Sequence, residues 1–186
     1  MQAVIDELTE HGYSGTTVER VAARAGIAKT TIYRRWRNLD GLLADVMAEH
    51  AEQQIPVPDE GDLGSDLRAL ARSVVASVRP PAIRAAFAGI VAAAVQDPAA
   101  RDLLSRFVAS RVATMTAIID RATLRGELPP GTDAAGVIQT VTALIYYRLF
   151  IAGEPASQDV ADAAAATATA AARAGALATR HQRGHG

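Results

Sequence analysis

Within residues 16–42, TTVERVAARAGIAKTTIYRRWRNLDGL, two kinds of hydrogen-bonding side chain stand close together. Thr30 and Thr31 carry short hydroxyls, and Lys29, Arg34 and Arg37 carry long cations with Tyr33 among them. Short polar groups at the start of a helix can reach base edges in a duplex groove, and Lys, Arg and Tyr at its margins suit phosphate oxygens. The charge agrees with that chemistry. From Arg20 to Arg37 there are six basic residues (Arg20, Arg24, Lys29, Arg34, Arg35 and Arg37) and no acidic one, whereas the whole chain has 19 basic and 20 acidic residues. The remainder therefore sets thirteen bases against twenty acids, which implies one small surface for a polyanion and a larger body with another task.

Two short helices must position these residues. Val18, Val21 and Ala22 recur at i, i+3 and i+4, Gly26 interrupts, and Ile27, Ile32 and Trp36 resume an apolar series, predicting a helix-turn-helix with a shared buried seam. Thr16 and Thr17 offer caps for the first helix, Glu19 faces the positive end of its dipole, and Gly26 supplies a turn needing positive φ. The second helix shows Lys29, Thr30, Thr31, Tyr33 and Arg34 to solvent and points Ile27, Ile32 and Trp36 inward.

The segment EHGYSGTTVERVAARAGIAKTTIYRRWRNLDGLLADV resembles the DNA-binding domain of TetR-type transcriptional regulators, through Gly12, Tyr13, Thr16, Thr17, Ala22, Gly26, Tyr33, Trp36 and Leu42. PVPDEGDLGSDL, DPAARDLLSRFVASR, RGELPPGTD and YYRLFIAGEP are similar to the C-terminal domain of an actinobacterial branch of that family. The chain departs from the pattern in three places. It begins inside the family's first helix, which leaves open a start upstream of Met1; Thr9 replaces an aromatic, and Leu39 replaces a phosphate-binding Lys whose role falls to Arg35 or Arg37.

Length and composition bound the rest. With 186 residues, 49% hydrophobic, the chain can bury one good core and a small second one. The absence of Cys fits a reducing cytoplasm, and no signal-peptide pattern opens the chain. The apolar run Val141 to Ala152 contains Arg148, is short for a bilayer and reads as a buried helix. With no alternating β pattern, the fold expected is all α, about nine helices. They fall near residues 2–12, 17–24, 28–35 and 39–54 in a helix-turn-helix domain over 1–54, and near 63–79, 82–96, 98–125, 134–152 and 157–178 in a helical-bundle domain over 55–178. Residues 179–186 are expected to form a mobile tail.

Catalysis finds little support. The histidines are His11, His50, His181 and His185, no Cys offers a nucleophile, and neither a phosphate loop nor GxSxG occurs. No catalytic residue, metal ligand or cofactor is expected. The reading is a sequence-specific DNA-binding regulator. Lys29, Thr30 and Thr31 are expected at base edges, and Thr17, Arg24, Tyr33 and Arg34, with Arg37, at the backbone. A homodimer is expected through Val141, Ile145 and Leu149 with Ala164, Ala168 and Ala172, because a single helix-turn-helix reads few base pairs. The resemblance implies a small-molecule effector among Phe87, Ile90, Val91, Phe107, Arg111, Met115, Tyr146, Tyr147 and Phe150. Arg111 and Arg148 need partners among Asp120, Glu127, Glu154 or an anionic ligand. The alternative is a dimeric small-molecule-binding protein whose DNA-reading head is impaired.

Overall fold

The computed structural model describes residues 1–178; the expected tail at 179–186, with His181 and His185, lies outside the described residues. Among the described residues there are α-helices and no strands, as the absence of β alternation required. The helices are α1 (Gln2–Gly15), α2 (Val18–Ala25), α3 (Lys29–Arg35), α4 (Leu39–Gln54), α5 (Leu63–Ser77), α6 (Pro81–Gln96), α7 (Pro98–Leu124), α8 (Ala134–Tyr146) and α9 (Gln158–Arg173), with a π-helical segment, Tyr147–Ala152, continuing α8. The chain forms two compact units, Met1–Gln54 with Ser77–Ala109, and Ile55–Ala76 with the residues from Ser110 onward.

In the first unit α1 and α4 pack on α6, and α2 packs on both α1 and α3. Val4, Leu8, Val18, Val21, Ile32, Leu43, Val46, Ile83, Ala86 and Phe87 are buried there. One contact explains why α1 lies so close to α6. A Cβ on Gly89 would fall 2.0 Å from Cδ2 of Tyr13, so the glycine leaves the notch that the ring occupies. Gly12 takes φ 64° near the end of α1, a conformation an L side chain resists, and the chain turns there to aim that ring. The Tyr13 hydroxyl then donates to Asp40 in the first turn of α4 at 2.7 Å. Burial, followed by Asp40, pushes this phenol's pKa up to about 12.

The second unit is held by charge at one end and by alanine at the other. Arg111 donates to the carbonyl of Ile55 at 2.8 Å and Arg121 to that of Pro58, so α7 grips the proline-bearing segment by its backbone. Asp66, fully buried, accepts from the Glu60 amide at 2.6 Å, and Glu127 accepts from the Leu63 amide, Arg125 and Arg173. The two cations expected to need partners thus have them, Arg111 in a carbonyl and Arg148 in Glu154 at 2.7 Å.

The α8–α9 pairing corrects the expected dimer face. Val141, Ile145, Ala164, Ala168 and Ala172 are each at most 2% exposed within the single chain, and Leu149 is half-buried. The apolar repeat of α8 packs on the alanines of α9, whose small side chains let the backbones approach. Those five side chains serve the chain's own core and are not offered to a second copy. The outer faces carry Gln139, Ala143 and Tyr147 on one element and Ala163, Thr167 and Ala170 on the other, all exposed. The continuous helical run Ala134–Ala152 is 19 residues, apolar and long enough to cross a membrane by length and composition alone. This is longer than the run the sequence singled out, and it is less buried than expected, with Tyr147 57% and Ile151 74% exposed.

Candidate nucleic-acid interface

The helix-turn-helix is built from local signals. Thr17 caps α2 by accepting from the Arg20 amide at 3.2 Å, Glu19 occupies the first turn, and Gly26 ends the helix in the left-handed region at φ 66°. The amides of Gly26 and Ile27 then turn back onto the carbonyls of Ala23 and Ala22 at 3.2 and 3.0 Å, closing the turn into α3. Val18, Val21 and Ala22 from α2 and Ile32 from α3 are buried, which fixes the rotation of α3. Trp36 is only half-buried, and Ile27 departs further from the expected seam. It is 44% exposed, because it lies in the turn before α3 begins and no helical register turns it inward.

With Ile32 inside, Lys29, Thr30, Thr31, Tyr33 and Arg34 form the outward face, every one of them exposed. Tyr33 is steadied by Glu19, to which its hydroxyl donates at 3.4 Å; desolvation, then Glu19, raises its pKa. Thr17 is also exposed beside this face, and Arg37 follows it just beyond α3. Thr16 differs from its neighbour. It is buried and its hydroxyl donates to the Gly12 carbonyl at 2.7 Å, so its role is internal.

Arg24 departs from the expected arrangement. Its Nε donates to Glu7 at 2.6 Å and its Nη1 to Glu10 at 3.0 Å, while Arg20 donates to the other Glu7 oxygen at 2.9 Å and also contacts His11. Glu7 is only 4% exposed, and a carboxylate so enclosed needs this double pairing. Hydrogen bonds from Arg20 and then Arg24 hold its pKa below the ordinary 4.5, and Glu10 followed by Glu7 raises that of Arg24. The Arg24 guanidinium therefore joins α2 to α1 instead of standing ready for phosphate. A signal existed in the sequence, since Glu7 and Glu10 lie one turn apart, as do Arg20 and Arg24, but charge clustering alone masked it.

The residues expected around an effector fall into two groups. In the first unit Phe87 and Ile90 are buried, and Phe107 meets Phe87 edge-on at 6.4 Å and 67°. With Ala44, Met47 and Leu104 they surround only about 10 Å³ of space, less than one water needs, so this cluster is closed core. Val91 lies half-buried on the same helix. In the second unit Met115 is buried, and Tyr146 and Phe150 rest with ring centroids 6.1 Å apart. Burial raises the Tyr146 pKa against the opposing influence of Arg111, and Tyr147 points to the exterior. Among the described residues no group of three or more His, Cys, Asp or Glu could hold a metal ion.

Comparison with known proteins agrees with this geometry. Residues 2–46 match the family described as bacterial regulatory proteins, tetR family, and residues 57–183 match the tetracyclin repressor-like C-terminal domain. An HTH-type transcriptional regulator of Mycobacterium tuberculosis is 30% identical over 158 residues, covering 84% of this chain and 77% of the relative. The regulator AqdR of Rhodococcus erythropolis is 27% identical over 146 residues, 78% of this chain and 70% of AqdR. The crystal structure of a TetR family transcription regulator superposes with a TM-score of 0.77 at 27% identity, covering 90% of this chain and 93% of that one. With its exposed α3 face and both family domains in chain order, the protein belongs to the TetR family of helix-turn-helix transcriptional regulators, which bind DNA and are not enzymes.

Proposed function

We propose that the chain is a ligand-responsive repressor that binds a palindromic operator as a homodimer in the cytoplasm. The observation that carries this is the row Lys29, Thr30, Thr31 and Arg34, held outward by the burial of Ile32. Lys29, Thr30 and Thr31 meet base edges, and Thr17, Tyr33, Arg34 and Arg37 position the duplex backbone. In a dimer two such helices enter successive major grooves about 34–36 Å apart. The second copy docks on the outer faces of α8, its π-helical continuation and α9, where Tyr147, Ile151, Ala163, Thr167 and Ala170 are exposed. An apolar effector acts by favouring one head spacing over another, and its leverage equals its differential affinity for the two states. Arg111, Met115, Tyr146 and Phe150, all in the second unit, are the lining we favour for it.

The test combines sedimentation with the salt dependence of binding to a random-sequence duplex. A dimer at micromolar concentration is expected. With Arg34 and Arg37 each neutralising one phosphate per protomer, log affinity should fall against log salt with a slope of about −4, at roughly −0.9 per contact. Arg34→Ala should reduce that magnitude by about 2 in the dimer. A monomer would contradict the proposal, and a dimer with a slope near zero would contradict it in favour of a dimeric ligand-binding protein with an impaired head.

A further inference from the structure

A cleft in the first unit lies where α3 passes into α4. Arg35, Trp36, Arg37 and Asn38 form one wall, the first turns of α7 with Asp102 and Arg106 form the other, and the volume is about 690 Å³. That size falls within the usual range for small-molecule sites. Its charges are unevenly matched. Asp45 accepts from the Trp36 indole at 2.7 Å and lies 3.7 Å from Arg35, which stacks over the Trp36 ring at 4.7 Å, so these three groups satisfy one another. Arg37 and Arg106 have no hydrogen-bond or ion-pair partner among the described residues, although both line the cleft. Even Asp102, one helical turn from Arg106, forms no ion pair with it among the described residues. The Asn38 side-chain oxygen accepts from the Gly41 amide at 3.0 Å, and its NH₂ group makes no hydrogen bond among the described residues.

Two guanidinium groups, one from each wall, and the Asn38 amide are among the lining side chains, and the planar forks of the guanidiniums match the oxygens of phosphate or carboxylate. We infer that this cleft binds a small, multiply charged anion, a phosphate ester or a polycarboxylate, between Arg37 and Arg106. Its occupancy withdraws Arg37 from the duplex, a consequence that rests on the DNA-binding reading above. Regulation of this kind acts directly on the DNA-binding end of the chain, because the anion competes for a cation that the duplex also uses. A backbone phosphate of the duplex has the same chemistry, so the test must separate the two sources.

The first arm measures pyrophosphate binding by calorimetry at about 0.15 M salt without DNA, for the wild type, Arg106→Gln and Lys29→Ala. One pyrophosphate per chain is expected, weakened about tenfold or more by Arg106→Gln and changed less than about twofold by Lys29→Ala. Melting curves confirm that each variant folds, and Arg37→Gln replaces Arg106→Gln if the latter does not. No binding, or equal weakening by both variants as diffuse charge attraction would give, overturns the inference. The second arm measures duplex affinity with pyrophosphate against sodium chloride at matched ionic strength. Pyrophosphate should weaken the wild type several-fold beyond chloride and should not do so for Arg106→Gln. If Arg106→Gln weakens duplex binding itself and leaves pyrophosphate binding unchanged, the cleft serves the DNA backbone and the free-anion inference falls. If pyrophosphate binds as expected to a protein with no affinity for any duplex, the cleft stands and the DNA-binding reading fails.

Discussion

The helix pairs α2–α3 and α8–α9 join their members with opposite materials. Between α2 and α3 only Val18, Val21, Ala22 and Ile32 are buried, and the pair gains its remaining hold from the Thr17 cap and from the arginines that tie α2 to Glu7 and Glu10. Between α8 and α9 the large apolar repeat Val137, Val141 and Ile145 is fully buried among alanines. The first pair is small in apolar area and so recruits charge, which divides its cations into an internal set, Arg20 and Arg24, and an outward set, Lys29, Arg34 and Arg37. The second pair places Val137, Ile138, Val141 and Ile145 inside the chain and leaves Gln139, Ala143 and Tyr147 outside. A cation count thus overstates what a DNA-binding surface offers, and an apolar repeat does not reveal whether its cover is the same chain or another.

The sharpest break in this comparison comes from neighbouring positions on α9. Ala168→Arg would bury an unpaired charge and should cost more than about 3 kcal/mol in urea unfolding, enough to disrupt the second unit. Thr167→Arg, one residue earlier and exposed, should cost less than about 0.5 kcal/mol yet dissociate the proposed dimer in sedimentation. Equal effects on stability would mean that the inner and outer faces are misassigned. Gly89→Ala comes next. Its new methyl would meet the Tyr13 ring, and the strain should destabilise the first unit by about 2–3 kcal/mol, read from the Trp36 fluorescence transition.

The internal cation set has an acid signature. Because the folded-state pKa of Glu7 is lowered, its contribution is fully present above the ordinary value of 4.5 and is lost as pH falls through the lowered value. The urea midpoint reported by Trp36 should fall below pH 4.5, and less steeply in Glu7→Gln. An unchanged profile in the variant would show that Arg24 is free for the duplex after all.

Much of the helix-turn-helix was legible because its determinants are local. Thr17, Gly26 and Ile32 fix the cap, the turn and the rotation of α3 within a short stretch of chain. What escaped depended on distance in sequence. The notch at Gly89 matters only because Tyr13 fills it, the pairing of Glu7 with Arg24 crosses from one helix to another, and the α-to-π transition at Tyr147 follows no residue pattern. The inner face of α9 was misjudged because alanine suits both a chain's own core and an interface.

The most direct test of the outward set is selection of bound sequences from a random double-stranded pool at about 150 mM salt, run in parallel with the wild type, Lys29→Ala and Arg34→Ala. The wild type should return a two-fold symmetric motif. Lys29→Ala should lose specificity at one position in each half-site, with a cost of about 1–3 kcal/mol, while Arg34→Ala keeps the motif and binds all sequences more weakly. Enrichment of no motif by the wild type, or identical changes in the two variants, would contradict the assignment of α3 as the sequence-reading element.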